Sequence, residues 1–198
     1  MLQPLIGVVI TSTRDQRFGE KAAQWIHRIA AQRNDLRSEI VDLRDYELPF
    51  FDGVSPVWAP VTNPAAIRWG KKMAELDGYL FVTAEYNHSV TGVIKNALDW
   101  AYAEYNRKPA AYLGYGALGA GRAVEQLRLI NVELQIAPTR SAVHIAGPDF
   151  MGLFMGTKTF EQLPHLAQSA SSMLEELAWW AAALKVARER DGVGTAAA

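Results

Sequence analysis

The sequence contains no cysteine, and this absence removes several kinds of chemistry at once. Disulfide bonds, a catalytic thiolate and cysteine-ligated metals are all excluded. The four histidines are scattered at positions 27, 88, 144 and 165, and their spacing is not that of a metal triad. We therefore expect no metal centre.

Long hydrophobic runs and an excess of charge of either sign are also lacking. No window approaches the roughly 20 apolar residues that span a bilayer, and the first residues show no signal-peptide pattern. Lysine and arginine number 20 against 21 aspartates and glutamates, which gives a net charge of −1. The sequence therefore predicts a cytoplasmic protein with neither a membrane nor a nucleic acid as its partner.

The chain does contain an alternation of short apolar runs and amphipathic stretches. Its 198 residues, 49% of them apolar, predict one domain over residues 1–190 and a disordered tail at 191–198. The alternation is typical of βαβ units and predicts an α/β fold with a five-stranded parallel sheet. The predicted strands are Leu5–Ile10, Ser38–Leu43, Tyr79–Thr83, Ala110–Tyr115 and Arg140–Ile145. The predicted helices lie at about 18–33, from the third strand to about 105, around 120–134 and at about 162–190.

Two segments interrupt this alternation. Residues 46–63 combine prolines with the aromatic residues Tyr46, Phe50, Phe51 and Trp58. A long loop of this kind in a compact domain usually has a function or forms an interaction surface, and we expect it to wall a site or to join a partner subunit. Residues 147–159 are predicted to be irregular.

A polar segment, residues 11–19, joins the first predicted strand to the first predicted helix. It brings hydroxyl groups and two arginines to a helix N-terminus, which is the chemistry that a phosphomonoester dianion requires. Neither the ATP-binding G-x-x-x-x-G-K-[ST] pattern nor the dinucleotide-binding G-x-G-x-x-G pattern occurs here. The segment alone favours an anion site and leaves open a solvated turn that caps the helix. The candidate residues are Ser12, Arg14, Arg17, Phe18 and Gly19.

The most specific motif is at residues 85–100, Glu-Tyr-Asn-His-Ser-Val-Thr-Gly-Val-Ile-Lys-Asn-Ala-Leu-Asp-Trp, directly after a buried strand. A polar loop between a strand and a helix is where open parallel sheets bind ligands. The segment closely resembles the flavin-ring loop of the NAD(P)H-dependent FMN reductases, which are flavodoxin-like flavoproteins. The resemblance implies a flavodoxin-like three-layer sandwich with strand order 2-1-3-4-5, and FMN as the cofactor.

Residue by residue, the resemblance puts one cluster of side chains at the flavin. These are Glu85, Tyr86, Asn87 and His88 around the isoalloxazine and the ribityl chain, with Ser89 beside them. His88 has two interpretations. We favour a flavin contact or a role in loop structure over a role in proton transfer, because the cofactor supplies the chemistry of hydride transfer.

The resemblance also covers the first polar segment, with some departures. Ser12 and Arg14 match the family's Ser-x-Arg pattern at the FMN phosphate, whereas Arg17 stands where the family often has serine. Ala84 and Thr91 replace prolines that are common in the family.

A third, glycine-rich loop occupies residues 114–122. By itself it is ambiguous between ligand binding and tight helix–sheet packing. Residues 115–127 resemble the family's Tyr-Gly-x-x-Gly-x-Arg-Ala-x-x-Gln-Leu stretch, which meets the pyrimidine end of the flavin. The resemblance implies flavin contacts for Tyr115 and Gly116 and leaves Arg122 without an assigned role. Amides at this end would stabilise negative charge on reduced flavin.

Together the three loops predict one crevice at one edge of the sheet. The resemblance implies an NAD(P)H-dependent FMN or quinone reductase, in which NADPH or NADH gives hydride to FMN. Reduced FMN then passes electrons to a small-molecule acceptor in a ping-pong scheme, without a catalytic residue of the protein. The resemblance further implies a homodimer or a homotetramer.

Two alternatives belong to other functional classes. A flavodoxin-type electron carrier would bind FMN without nicotinamide turnover, but flavodoxins are usually acidic and this chain is nearly neutral. A non-enzymatic regulator that binds FMN or an anion is the other alternative. Oxidation of NADPH separates the reductase from both.

Overall fold

A computed structural model describes residues 3–192 of the chain. Strands and helices alternate along it, joined in places by short 3₁₀ turns. The strands are β1 (Leu5–Ile10), β2 (Arg37–Asp42), β3 (Gly78–Ala84), β4 (Lys108–Tyr115) and β5 (Ile136–Ile145). The helices are α1 (Gly19–Ala31), α2 (Pro64–Glu75), α3 (Gly92–Asp99), α4 (Gly121–Glu133), α5 (Gly147–Met155) and α6 (Pro164–Arg190).

The five strands form one parallel sheet in the order β2-β1-β3-β4-β5, which confirms the predicted fold. Their register aligns the ends of neighbouring strands. Ile10 pairs with both Asp42 and Val82, and Tyr115 pairs with both Ala84 and Ile145. The segments that follow β1, β3 and β4 therefore leave the sheet at the same edge, where ligands of such folds bind.

Alternating side chains of the central strands fill two separate cores, one on each face of the sheet. Val8 and Ile10 face the core that includes residues of α1, α5 and α6, whereas Val9 faces residues of α2, α3 and α4. In the second core, buried Trp69 donates a hydrogen bond from Nε1 to the Tyr105 hydroxyl over 2.6 Å. The two helix layers and the sheet make the predicted three-layer sandwich.

Charged side chains lie at the opposite edge of the sheet, where β3 and β4 begin. Asp77 accepts hydrogen bonds from Lys185 at 2.7 Å and from Arg188 at 2.8 Å, which fixes the end of α6 to the start of β3. Nearby, Nζ of Lys108 donates to the carbonyls of Met73 and Ala74 over 2.7 and 3.0 Å. This edge thus has a structural role, away from the three loops.

Two helices differ from the sequence-based expectation. Helix α2 was not among the predicted helices, although Asn63 caps it through its side chain and Pro64 occupies the first turn. Helix α5 lies inside the stretch that was predicted to be irregular, and that prediction was wrong. Gly147 and Gly156, with φ of 50° and 75°, turn the backbone at its two ends.

Two further boundaries were misplaced. Strand β5 begins at Ile136, earlier than predicted. Its first half was missed because it contains Pro138 and a nearby β-bulge, which are both atypical of a regular strand. Helix α3 stops at Asp99, and a separate 3₁₀ turn covers Ala103–Tyr105.

No helix within residues 3–192 is long and apolar enough to cross a membrane. Of the predicted disordered tail, residues 193–198 lie outside the described residues, and the single-domain boundary at residue 190 stays a prediction.

Candidate active site

The segment that follows β1, which we call loop 1 (residues 11–18), lies against the end of β4. Ser12 is buried, and its hydroxyl is 3.1 Å from the Tyr115 hydroxyl. Gly19 opens α1 beside both groups. A Cβ atom there would lie 2.8 Å from the Tyr115 oxygen and 3.1 Å from the Ser12 oxygen, so the close approach of helix and sheet requires glycine.

A cluster of aromatic rings packs around Tyr115 and supports its contact with Ser12. The ring of Phe18 is 5.2 Å from Tyr115 and 5.3 Å from Phe150, and Tyr115 stacks on Phe150 at 6.3 Å. Phe18, the last residue of loop 1, is buried and packs into the hydrophobic core. Burial raises the pKa of the Tyr115 hydroxyl, which is therefore neutral near pH 7. Sequence reasoning missed Phe150 because it lies in the helix that was predicted to be irregular.

The two arginines of loop 1 have different environments. Arg14 is exposed, and its guanidinium lies 5.0 Å from the centroid of the Tyr86 ring, in cation–π geometry. Arg17 was expected to contact an anion directly, but its buried guanidinium donates to Asp42 at 2.7 Å and to the Ser12 carbonyl at 2.5 Å. The hydrogen bond to Asp42 and the charge of that carboxylate raise the pKa of Arg17 further above its ordinary value, despite its burial. Only Arg14 of the pair presents its charge to solvent.

The segment after β3, which we call the ring loop (residues 85–91), contains a two-residue hairpin. The amides of Tyr86 and Ser89 donate to each other's carbonyls over 3.0 and 3.1 Å. Asn87 and His88 between them have φ of 51° and 69°, as a type I′ turn requires. Asparagine adopts this conformation more readily than most residues, so the hairpin explains its place in the motif.

A single arginine joins the ring loop to α4. Arg122 donates from Nε to Glu85 over 2.6 Å and from its backbone amide to the same carboxylate over 3.2 Å. Its Nη1 is 2.9 Å from His88 Nε2, and this nitrogen must accept because a guanidinium has only donors. Burial raises the pKa of Glu85, but the hydrogen bond and charge of Arg122 outweigh it and hold that pKa below its ordinary value. Arg122, which had no role from sequence, thus orders the ring loop.

The segment after β4, which we call the glycine loop (residues 116–120), turns sharply back towards β5. A Cβ on Gly114 would lie 2.4 Å from the Gly119 carbonyl, so the turn needs glycine at position 114. Gly116 has both backbone groups occupied, since its amide donates to Ile145 and its carbonyl accepts from Gly119. The amides of Ala117 and Leu118, by contrast, have no acceptor within residues 3–192. These two amides, which sequence reasoning did not single out, are available to a ligand.

The amides of Thr13, Arg14 and Asp15 in loop 1 likewise lack an acceptor in the described part of the chain. The Tyr86 hydroxyl is buried and has no hydrogen-bond partner there either. Unpaired donors from three loops at one edge of the sheet fit a ligand with several acceptor oxygens, such as a flavin phosphate. Within residues 3–192, no group of three acidic or histidine side chains is placed to hold a metal ion.

Comparison with known proteins places the chain in a family. The model of the NADPH-dependent FMN reductases matches residues 4–148, which include all three loops. An NAD(P)H-dependent FMN reductase of a Nectria species is 34% identical over 146 residues, covering 68% of this chain and 72% of that protein. A second NAD(P)H-dependent FMN reductase, from Schizosaccharomyces pombe, is 33% identical and covers 72% of this chain and 74% of its own.

A solved structure supports the fold. The flavoenzyme NAD(P)H:(acceptor) oxidoreductase from Paracoccus denitrificans superposes with a TM-score of 0.66 at 22% identity, covering 88% of this chain and 97% of that one. Since the family match includes the loops that bring the unpaired donors together, the chain belongs to the NADPH-dependent FMN reductase family and is an FMN-dependent oxidoreductase that takes hydride from NAD(P)H.

Proposed function

We propose that loop 1 binds the FMN phosphate. The observation that supports this most strongly is the run of consecutive amides from Ser12 to Gln16, which includes Thr13, Arg14 and Asp15, without an acceptor among residues 3–192. Consecutive backbone amides next to a helix N-terminus favour phosphate oxygens. Ser12 adds a hydroxyl, and the exposed guanidinium of Arg14 adds positive charge.

The ring loop and the glycine loop hold the isoalloxazine in this proposal. Tyr86, Asn87 and Ser89 line one side, and the amides of Ala117 and Leu118 face the pyrimidine end. Gly116 contributes open space, since nothing lies within 4 Å of a Cβ built there. When bound, FMN accepts hydride from the nicotinamide and passes two electrons to a second substrate.

His88 acts in loop structure and flavin contact in this proposal. Its Nε2 accepts a hydrogen bond from Arg122, which holds the imidazole against the start of α4. Glu85 orients the same arginine, and both residues therefore serve to place the hairpin beside the cofactor.

The second substrate is a quinone or a flavin, and the two half-reactions follow a ping-pong order. Relatives with such activity support the acceptor class. A 2-hydroxy-1,4-benzoquinone reductase of a Burkholderia species is 32% identical over 145 residues, and an NAD(P)H:quinone oxidoreductase of Solanum tuberosum is 42% identical over 105. Both NADPH and NADH are candidate donors.

The proline-rich segment 46–63 joins two protomers in a homodimer or a homotetramer. Its side chains Phe50 and Trp58 are 88% and 82% exposed, an unusual exposure for large aromatic residues. The base of the segment is nevertheless held firmly, because the Asn96 side chain donates to the Pro49 carbonyl and accepts from the Phe51 amide, both over 2.8 Å. A fixed base with an exposed aromatic tip fits a second copy of the chain.

Titration of the apoprotein with FMN and with riboflavin, which lacks the phosphate, tests the site. Arg14→Ala should weaken FMN binding by about 1.5–3 kcal/mol, about 10- to 150-fold, and leave riboflavin binding unchanged. Arg37→Ala removes an exposed arginine at the opposite edge of the sheet and should change neither. Equal affinity of the wild type for the two flavins would refute the phosphate assignment.

A further inference from the structure

Three consecutive carbonyls of loop 1 are bound by arginine side chains. Arg17 donates to the Ser12 carbonyl over 2.5 Å. Arg44, just beyond β2, donates from Nε to the Thr13 carbonyl over 3.2 Å and from its Nη2 to the Arg14 carbonyl. The N–H groups that make these hydrogen bonds are therefore not available to an anion.

Because the peptide group is planar, a contact that fixes a carbonyl also fixes the direction of the next amide. In a trans peptide the carbonyl of one residue and the amide of the next point in opposite directions. Guanidinium groups on the carbonyls of residues 12–14 therefore turn the amides of residues 13–15 the other way. These three amides belong to the run from Ser12 to Gln16 that lacks an acceptor within residues 3–192.

Asp42, the last residue of β2, organises both arginines. Its carboxylate accepts from Arg17 and, over 3.0 Å, from the backbone amide of Arg44. Burial raises the pKa of Asp42, but the hydrogen bonds from Arg17 and Arg44 outweigh it and lower that pKa, so the carboxylate stays ionised. An ion pair with a buried guanidinium and several hydrogen bonds holds one geometry well, whereas removal of the half-buried carboxylate leaves an uncompensated charge.

We propose that Asp42 and Arg44 are positioning residues that hold loop 1 in its phosphate-binding conformation through the carbonyls of residues 12–14. The proposal rests on the assignment of loop 1 to the FMN phosphate. Because the two residues act on the back of the loop, they raise affinity for the phosphate of FMN and leave affinity for the flavin ring unchanged.

Arg44 provides the sharper test, since its side chain is partly exposed and its removal leaves no buried charge. Arg44→Ala and Arg44→Lys are each titrated, as apoproteins, with FMN and riboflavin. Lysine keeps the positive charge but cannot bridge two carbonyls with a planar fork. We expect both variants to lose roughly tenfold in FMN affinity, the size of one lost charge-assisted hydrogen bond, with riboflavin affinity unchanged.

The outcomes separate the proposal from its rivals. Wild-type FMN affinity in Arg44→Lys with a loss in Arg44→Ala would show simple charge attraction and overturn the positioning role. Unchanged FMN affinity in both variants would also overturn it, while a loss in Arg14→Ala would leave the phosphate assignment intact. Asp42→Asn should give a larger loss than Arg44→Ala in FMN affinity alone, and its melting temperature shows whether the fold survives.

Discussion

The hydroxyl groups of Ser12 and Tyr115 lie 3.1 Å apart and connect loop 1 to the end of β4. Strand β3, which leads into the ring loop, lies between β1 and β4. The contact therefore joins the two segments that lie on either side of the ring loop in the proposed crevice. Gly19 lies against both hydroxyls, which makes this helix start sensitive to any added side chain.

Gly19→Ala should therefore weaken FMN binding and lower stability by about 1–3 kcal/mol, the usual cost of an overpacked site. The new methyl group would lie 2.8 Å from the Tyr115 oxygen and would push α1 away from the sheet. Gly92→Ala is the matched control, since Gly92 also opens a helix and a Cβ there meets nothing within 4 Å. Equal melting temperatures and FMN affinities for the two variants would contradict the prediction.

The Glu85–Arg122 ion pair should act as one unit in flavin binding. We expect Glu85→Gln and Arg122→Ala each to lower FMN affinity, and the double variant to lose little more than either alone. A double-mutant cycle on FMN dissociation constants measures this coupling. Additive losses would mean that the two side chains do not order the ring loop together.

This pair should also make flavin retention sensitive to acid. The folded-state pKa of Glu85 is lowered, so its stabilising contribution is complete above the ordinary glutamate pKa and is lost as the pH falls through the folded value. FMN release on acidification, followed by flavin fluorescence, should lose the Glu85-linked step in the Arg122→Ala variant, which already binds FMN more weakly at neutral pH. An identical acid profile in wild type and variant would refute this origin of the sensitivity.

Lys108 makes the stability of the fold depend on pH. Here the pKa is lowered by burial and not by an ion pair. Burial, reinforced by the nearby charge of Arg188, lowers the pKa of this lysine to about 7, from 10.5. Between these values the unfolded chain binds a proton that the folded protein does not, so stability increases with pH across this window. The unfolding free energy of the wild type minus that of Lys108→Met should therefore rise from about pH 7 to about pH 10. A difference that is constant over this range would contradict the lowered pKa.

Self-association through the proline-rich segment is tested by Phe50→Ser combined with Trp58→Ser. Both side chains are exposed in the single chain, so the substitutions should leave the fold intact and reduce the mass measured by light scattering. Trp179→Ser, on the exposed face of α6, is the control and should leave the mass unchanged. A mass unaffected by the double substitution would exclude this segment as the contact.

Sequence reasoning located the three loops because each is a continuous stretch with several functional residues. It could not reveal pairs such as Arg17–Asp42 or Glu85–Arg122, which are 25 and 37 residues apart and meet only when the strands are in place. The pairing of Arg17 could not be foreseen for this reason, since an arginine in a polar loop resembles an anion ligand until a half-buried carboxylate is found beside it. Helix α5 was missed because glycines at its ends hid a short apolar helix.

Binding of FMN and its reduction by NAD(P)H can be observed together. The most direct measurement is the visible absorption spectrum of the purified protein, recorded before and after NADPH is added and again after exposure to air. We predict an oxidised-flavin spectrum that bleaches with NADPH and recovers in air. A colourless protein that also fails to bind added FMN, or a bound flavin that neither NADPH nor NADH reduces, would contradict the account.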